Sequence, residues 1–226
     1  MNRLKLWLLS VSIIIVLVSF PISACSRAKF ATIPRELEAT EFQGVNLTPI
    51  KDQNNNAQKG TQIIDKDSYR LRIDGYVDHD LSLSYADLQS YPQISQLVTL
   101  KSVDGSSFTA KWTGPSLGAI LADAGVKSEA TIAIFCTADF PSGYTSLDLS
   151  YINDSDIIVA LKDNDITLTP DIGFPLEVVA VNKYGYKWAK WVTHILLSSD
   201  NNYRGYWESN GYNNNANING PVGTGQ

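Results

Sequence analysis

With 226 residues, 44% hydrophobic and 18% charged, the chain is long enough to bury one core and too short for several. Lys and Arg number 18 against 23 Asp and Glu, a net charge of -5; with no basic cluster or stacking platform to offset it, this excludes a nucleic-acid partner. Two cysteines, Cys25 and Cys136, exclude a disulfide framework and a thiolate metal cluster.

Asn2 to Lys5 forms a short basic head, and Leu6 to Phe20 is a nearly unbroken apolar run of signal-peptide length. Ile22-Ser23-Ala24-Cys25 then places small residues before a cysteine and resembles the lipobox of bacterial-type lipoproteins. Cleavage after residue 24 and lipidation of Cys25 would tether the remainder to the outer face of a membrane. The other reading is an uncleaved anchor, and both export the rest of the chain.

Residues 25–62 are mixed and polar and read as a spacer or loose arm, with order beginning near Ile63. Tyr69, Leu71 and Ile73 alternate with Arg70, Arg72 and Asp74, the pattern of a half-buried strand, and Gly75 marks a place for a bulge. Ser84 with Asp87 three residues on predicts a capped helix over 85–90. Residues 94–101 and 108–112 read as strands joined through Gly105-Ser106-Ser107. Pro115 in a first turn and Gly125 as terminator bound a helix whose apolar stripe is Leu117, Ile120 and Leu121. Strands follow over 132–136 and 157–161, a tight turn at Asp163-Asn164-Asp165, and strands over 175–181 and 191–197. Many short strands with few helices and no regular βαβ spacing predict a mixed, sheet-dominated α+β domain over 63–212. The Asn-rich stretch 213–226 is too poor in apolar residues to fold alone and reads as a disordered tail.

Several blocks along 69–212 carry a family likeness. Leu71-Arg72-Ile73-Asp74-Gly75, Leu97 to Gly105, Trp112-Thr113-Gly114-Pro115-Ser116-Leu117, Gly143 to Leu149, Gly173-Phe174-Pro175-Leu176 with Lys183 to Val192, and Gly205-Tyr206-Trp207-Glu208 come in a fixed order. In that order they resemble the sulfite-oxidase-like, molybdopterin-binding oxidoreductases. The resemblance implies that family's single-domain fold and a molybdopterin cofactor carrying molybdenum or tungsten. It also implies that the position of Ser102 is where the family has its metal-ligating cysteine.

Ser102 is thus the candidate metal ligand and a candidate catalytic residue, with Asp139 and Tyr144 as polar cleft residues. Lys101, Ser102, Tyr184, Gly185, Tyr186, Lys187 and Lys190 are the candidate cofactor-binding residues. Lysines and glycines in one short span can offer a phosphate both charge and close N–H donors. An aromatic and lysine ladder with solvated ammonium groups is the other reading of that block, and a turn-forming role is the other reading of Asp139. A thiolate is a soft ligand formed near neutral pH, whereas a serine hydroxyl needs the metal itself to deprotonate it. Three outcomes stay open: cofactor bound with Ser102 as an oxygen ligand or none, a cofactor-free scaffold, or another cofactor in the same cleft. Cys136 sits in an apolar run and reads as a small buried hydrophobe. His79 and His194 lie apart and suggest no shared metal site.

Beyond Ser68 the arginines are Arg70, Arg72 and Arg204, and none follows Ser102 closely. Bidentate recognition of an oxyanion such as sulfite is therefore poorly served, and a small neutral S- or N-oxide is the expected substrate. The chain has no haem or iron-sulfur ligand set, which makes a separate redox partner the expectation. A non-catalytic binding or structural lipoprotein on the same fold is the alternative.

Overall fold

Short strands, some buried on one face and some along their whole length, organise the molecule, seen in a computed structural model that describes residues 36–54 and 56–223. The basic head, apolar run and lipobox lie outside the described residues. Among the described residues no helix is long and apolar enough to cross a membrane.

A two-stranded ribbon comes first, β1 (Glu41–Phe42) with β2 (Val45–Asn46), followed by a 3-10 turn at Ile50–Asp52. This arm is not loose. Thr48 donates its N–H to Thr109 O at 2.8 Å, Asn164 Nδ2 donates to Thr48 O at 2.9 Å, and Glu36 accepts from Lys162 and Thr167 at 2.8 Å each. Polar residues read as spacer are instead spent on hydrogen bonds to strands far away in sequence, which composition alone does not disclose.

The larger sheet has five strands, β3 (Leu71–Gly75), β4 (Leu81–Leu83), β7 (Ile132–Thr137), β8 (Thr145–Asp148) and β13 (Val192–Ser198), in the order β4-β3-β13-β7-β8. Only β3 with β13 is parallel within it. Leu71 and Ile73 are buried as alternation required, and Tyr69 just before the strand donates its hydroxyl to Val192 O at 2.6 Å. Gly75, at φ +96, could not carry a Cβ, which would lie 2.3 Å from Leu197 O.

The second sheet is the long hairpin β5 (Gln93–Lys101) and β6 (Ser107–Pro115) extended by β10 (Lys162–Asp163) and β11 (Ile166–Thr167), in the order β11-β10-β6-β5. Asn164 and Asp165 take φ of +46 and +67 in the two-residue turn between β10 and β11, the left-handed pair a tight hairpin requires. Pro115 ends β6 rather than opening a helix. Ser116 caps α2 (Leu117–Ala124) by accepting from Ala119 N, and Gly125 closes it at φ +68. In α1 (Tyr85–Ser90) the capping box of Ser84 and Asp87 forms as read from the sequence.

A short pair, β9 (Ile158–Ala160) with β12 (Glu177–Val179), bridges the sheets. Two small helices, α3 (Leu149–Asp154) and α4 (Tyr206–Ser209), complete the mixed α+β domain. Leu71, Phe135, Ile158, Val178 and Ile195 share one continuous core. Of the stretch read as a disordered tail, residues 213–223 are described, and they are tied to the domain: Tyr184 N donates to Ala216 O at 2.8 Å and Ala216 is fully buried. Its asparagines make up in hydrogen bonds what they lack in apolar area.

Candidate functional site

The β5–β6 hairpin ends in a tight loop in which Ser102 N donates to Ser106 O at 2.8 Å and Gly105 N to Ser102 O at 3.2 Å. This loop sets Ser102 on the wall of a cavity of about 410 Å³. The 3-10 turn Gly185–Lys187 supplies part of another wall, and the polar arm at Gln53 and Asn54, strands β6 and β12, and the segment after β7 contribute further. Rings line it throughout, among them Trp112, Trp188, Tyr186, Tyr144 and Trp207. Trp112 and Trp188 meet edge to face with centroids 5.6 Å apart, so the walls hold one another in place.

Of the residues singled out by sequence, Ser102, Asp139, Tyr144, Gly185, Tyr186 and Lys190 are brought together around this cavity. Lys101, Tyr184 and Lys187 are not among its walls. Lys101 is exposed at the end of β5, bridged to Tyr184 through the backbone. Tyr184 turns its hydroxyl to Ile218 O at 3.2 Å and stacks on Tyr186. Lys187 is 1% exposed and gives its ammonium to Glu208 Oε1 at 2.6 Å and Asn214 Oδ1 at 3.2 Å. Lys183 is likewise engaged, with Asn215 O and Asn217 Oδ1 each at 2.7 Å. The lysine block therefore does not converge on one open phosphate site. Burial holds both ammonium groups below the ordinary lysine range, and Glu208 offsets this for Lys187.

Asp104 accepts from the Ser106 N–H at 2.8 Å and from the Ser106 hydroxyl at 2.7 Å. Those two bonds, and then the Ser102 hydroxyl, keep its carboxyl below the usual range. An ionised Asp104 beside Ser102 resists a second negative charge there unless a cation intervenes, and its lowered carboxyl accepts a hydrogen bond from the Ser102 hydroxyl but is a poor acceptor of the proton itself. Burial raises the Tyr144 phenol well above its usual value. Its oxygen accepts from Trp207 Nε1 at 3.2 Å, which leaves the O–H to donate. Asp139 accepts from Thr137 Oγ1 at 2.6 Å. Among the described residues no group of three or more His, Cys, Asp and Glu is arranged to hold a metal ion. Cys136 is buried in a satellite cluster with Ile132 and Ile134 and does not line the cavity. His194 pairs with Asp74 at 2.7 Å, far in sequence from His79.

Sequence reasoning missed Glu177, Gln53 and the Trp188 and Trp207 walls as site residues. Glu177 lines the cavity and is 4% exposed. Its burial raises the carboxyl, with the Lys190 charge offsetting part of the rise, and Lys190 is lowered in turn by its own burial. The available signal was a single acid inside the apolar run 175–181. Gln53 gave none, since it belongs to the polar arm.

Comparison with known proteins bears on the fold and on the family. The solved structure of the sulfane dehydrogenase SoxCD from Paracoccus pantotrophus superposes with a TM-score of 0.64 at 23% identity, covering 68% of this chain and 44% of that one, a likeness of fold. The uncharacterized oxidoreductase YuiH of Bacillus subtilis (strain 168) is 33% identical over 149 residues, covering 66% of this chain and 74% of its own length. An Azospira oryzae protein, named provisionally as a protein-methionine-sulfoxide reductase subunit, is 30% identical over 152 residues, with 66% of this chain and 56% of that protein covered. Mitochondrial sulfite oxidase of Rattus norvegicus is 29% identical over 177 residues, and the match spans 32% of it. The family model for the oxidoreductase molybdopterin binding domain matches residues 58–207, and the chain belongs to that family.

Proposed function

We propose that this protein is an exported, lipid-anchored oxidoreductase that holds a molybdopterin cofactor in the aromatic cavity, with the Ser102 oxygen at the metal in place of a thiolate, and acts on a small neutral S- or N-oxide. The observation that carries the reading is the cavity itself. Its volume of about 410 Å³ falls within the range of cofactor and ligand sites, roughly 300–1,000 Å³. Trp112 Nε1 and Gln53 Oε1 are buried there without a hydrogen-bond partner, one a donor and one an acceptor. The organic part of such a cofactor, flat and rich in polar edges, suits those walls and unmet groups.

The residues that would hold it are Trp112, Gly185, Tyr186, Trp188 and Lys190, with Ser102 toward the metal. When bound, the group supplies two-electron oxygen-atom transfer at its metal. Ser102 would serve as a hard oxygen ligand that loses its proton to solvent only under the charge of the metal, with the ionised Asp104 holding the hydroxyl by a hydrogen bond until then. Tyr144, kept protonated by burial, would donate to the oxide oxygen of the substrate. The absence of arginine from the cavity walls favours a neutral oxide over an oxyanion. The Azospira relative's name also points to a sulfoxide. Electrons would come from a separate redox partner.

Metal and pterin analysis of protein from a cofactor-producing host tests the reading, which a clean lack of molybdenum, tungsten and pterin would sink. With cofactor present, Ser102→Cys and Ser102→Ala should differ in metal occupancy or spectrum, and identical behaviour rules out the oxygen ligand. Export and anchoring rest on the N-terminal sequence. Cys25→Ser should release the protein from the membrane fraction and remove the lipid mass, and unchanged retention counts against the anchor.

A second reading has its own observation. Lys183 and Lys187 are occupied by residues 214–217 and Glu208, so the lysine block does not converge on an open phosphate site. A cofactor-free binding lipoprotein would account for that, and the same analysis separates the two.

A further inference from the structure

Three acceptor oxygens are buried against β6 with nothing to accept. Asp163 on β10 is 1% exposed and sits opposite Trp112 in the ladder, and neither of its carboxyl oxygens has a hydrogen-bond partner among the described residues. Gln53 of the polar arm is 8% exposed and reaches the same carboxyl, and its Oε1 has no partner either. The Gln53 amide cannot turn over without loss, because its Nε2 donates to Thr48 O at 3.1 Å. One proton on Asp163 resolves the conflict, since a neutral acid donates its O–H to Gln53 Oε1 and keeps a charge out of the dry interior. The rise of that carboxyl to about 7 through burial agrees.

The charged groups around Asp163 give no other answer. Glu38 from the arm and Glu177 from β12 are acids that its charge opposes. Lys111 on β6 is 2.7 Å from Asp165, Lys162 beside it on β10 is 2.8 Å from Glu36, and Lys190 acts on Glu177.

Gln53 is joined to the candidate metal ligand by short steps. Asn54, the next residue, donates Nδ2 to Ser106 Oγ at 2.7 Å. Ser106 in turn gives its hydroxyl to Asp104 at 2.7 Å and takes the Ser102 N–H on its carbonyl at 2.8 Å. The arm thus props the loop that sets Ser102 on the cavity wall.

We propose that Asp163 is a positioning residue for the Ser102 loop, seating the arm as a neutral acid through Gln53 Oε1 and unseating it when the proton leaves. Ionised Asp163 needs a donor, and the one at hand is Gln53 Nε2, whose approach favours the charged form. Thr48 O then keeps only Asn164 Nδ2, at 2.9 Å, and Asn54 is pulled from Ser106 with the arm. The inference rests on the reading above for the role of Ser102, while its readouts need neither metal nor pterin.

Hydrogen exchange read by mass spectrometry on the full-length protein, with intrinsic rates divided out, tests this between about pH 5.5 and 8.5. In the wild type, protection over 48–54 and 102–106 should fall by about tenfold across that range, roughly the worth of one hydrogen bond, while β7 stays protected. Asp163→Asn offers Gln53 Oε1 an N–H at every pH and should keep both segments protected throughout. Gln53→Leu cuts the connection and should leave 102–106 weakly protected with no pH step. A wild type without a step at 102–106 overturns the inference, as does a step of undiminished size in Asp163→Asn. An equal fall in β7 marks global unfolding and overturns it too. Wild type against Asp163→Asn is decisive even where Gln53→Leu fails to fold. The metal and pterin analysis is independent of all these outcomes, so failure of one reading is distinguished from failure of the other.

Discussion

Asp163 offers a direct measure of how much electrostatic strain the β6–β10 contact carries. The side chain is 1% exposed, both of its oxygens lack a hydrogen-bond partner, and it lies opposite Trp112 in the ladder. Burial lifts its carboxyl from 3.8 to about 7, with the Gln53 side chain offsetting a little and the Glu38 charge adding to it. Gln53 gives its Nε2 to Thr48 O at 3.1 Å, while its Oε1 is itself without a donor. Between pH 3.8 and about 7 the folded chain keeps a proton that the unfolded chain has lost, so stability falls as pH rises through that window. At 1.36 kcal/mol per pH unit the loss above pH 7 is about 4 kcal/mol. Asp163→Asn removes the charge and offers an N–H to the orphaned Gln53 oxygen. Denaturant melts from pH 4.5 to 8 should show the variant more stable at pH 8 by about 3–4 kcal/mol, with the gap closing toward pH 4.5. Lys183 and Lys187 titrate in both proteins and cancel in the difference between the two curves, while Glu177, whose carboxyl the Asp163 charge helps to raise, adds to that difference with the same sign. Parallel curves, or a variant less stable at pH 8, would refute the assignment.

The buried pair of Lys187 and Glu208 makes a second test. Lys187→Met leaves Glu208 without its cation and should cost about 3–5 kcal/mol in a chemical melt, whereas the double change Lys187→Met with Glu208→Leu should recover much of it; a single variant as stable as wild type removes the pair from the account. Truncation after Tyr212 takes away Asn215 and Asn217 from Lys183 and Asn214 from Lys187, and should lower the melting temperature by several degrees while raising amide exchange over 183–187. Unchanged exchange there would mean that residues 213–223 contribute nothing. At Gly114 a Cβ would sit 1.9 Å from Val159 O, so Gly114→Ala should destabilise by about 3 kcal/mol or more, and a neutral result would show that β9 can move aside.

Local chemistry made much of the scaffold legible. The Ser84 and Asp87 box, the left-handed turn at Asn164-Asp165 and the alternation of Leu71 and Ile73 depend on neighbours in sequence, and each forms as its pattern requires. What stayed hidden depends on partners far away. Residues 213–217 look structureless because their hydrogen bonds end on Lys183, Tyr184, Tyr186 and Lys187, and the arm near Thr48 looks loose because its partners are Thr109 and Asn164. The site divides the same way. Ser102 and the Gly185-Tyr186 step could be found through family likeness, but Lys187 is drawn into an ion pair that only the folded chain assembles. Glu177 alternates within a short apolar strand and reads like any surface acid until the fold buries it.

The close pass of β9 over Gly114 sets a fixed ruler across the cavity. Trp112 and Glu177 hang from main chains separated by a single strand, so their spacing follows from peptide geometry and not from adaptable rotamers. A ligand of the wrong width gains nothing by pushing, because the backbone has no slack to give. Reshaping the cavity between these strands therefore calls for changing side-chain length at position 112 or 177, since loosening the loops around the mouth would leave the measure untouched.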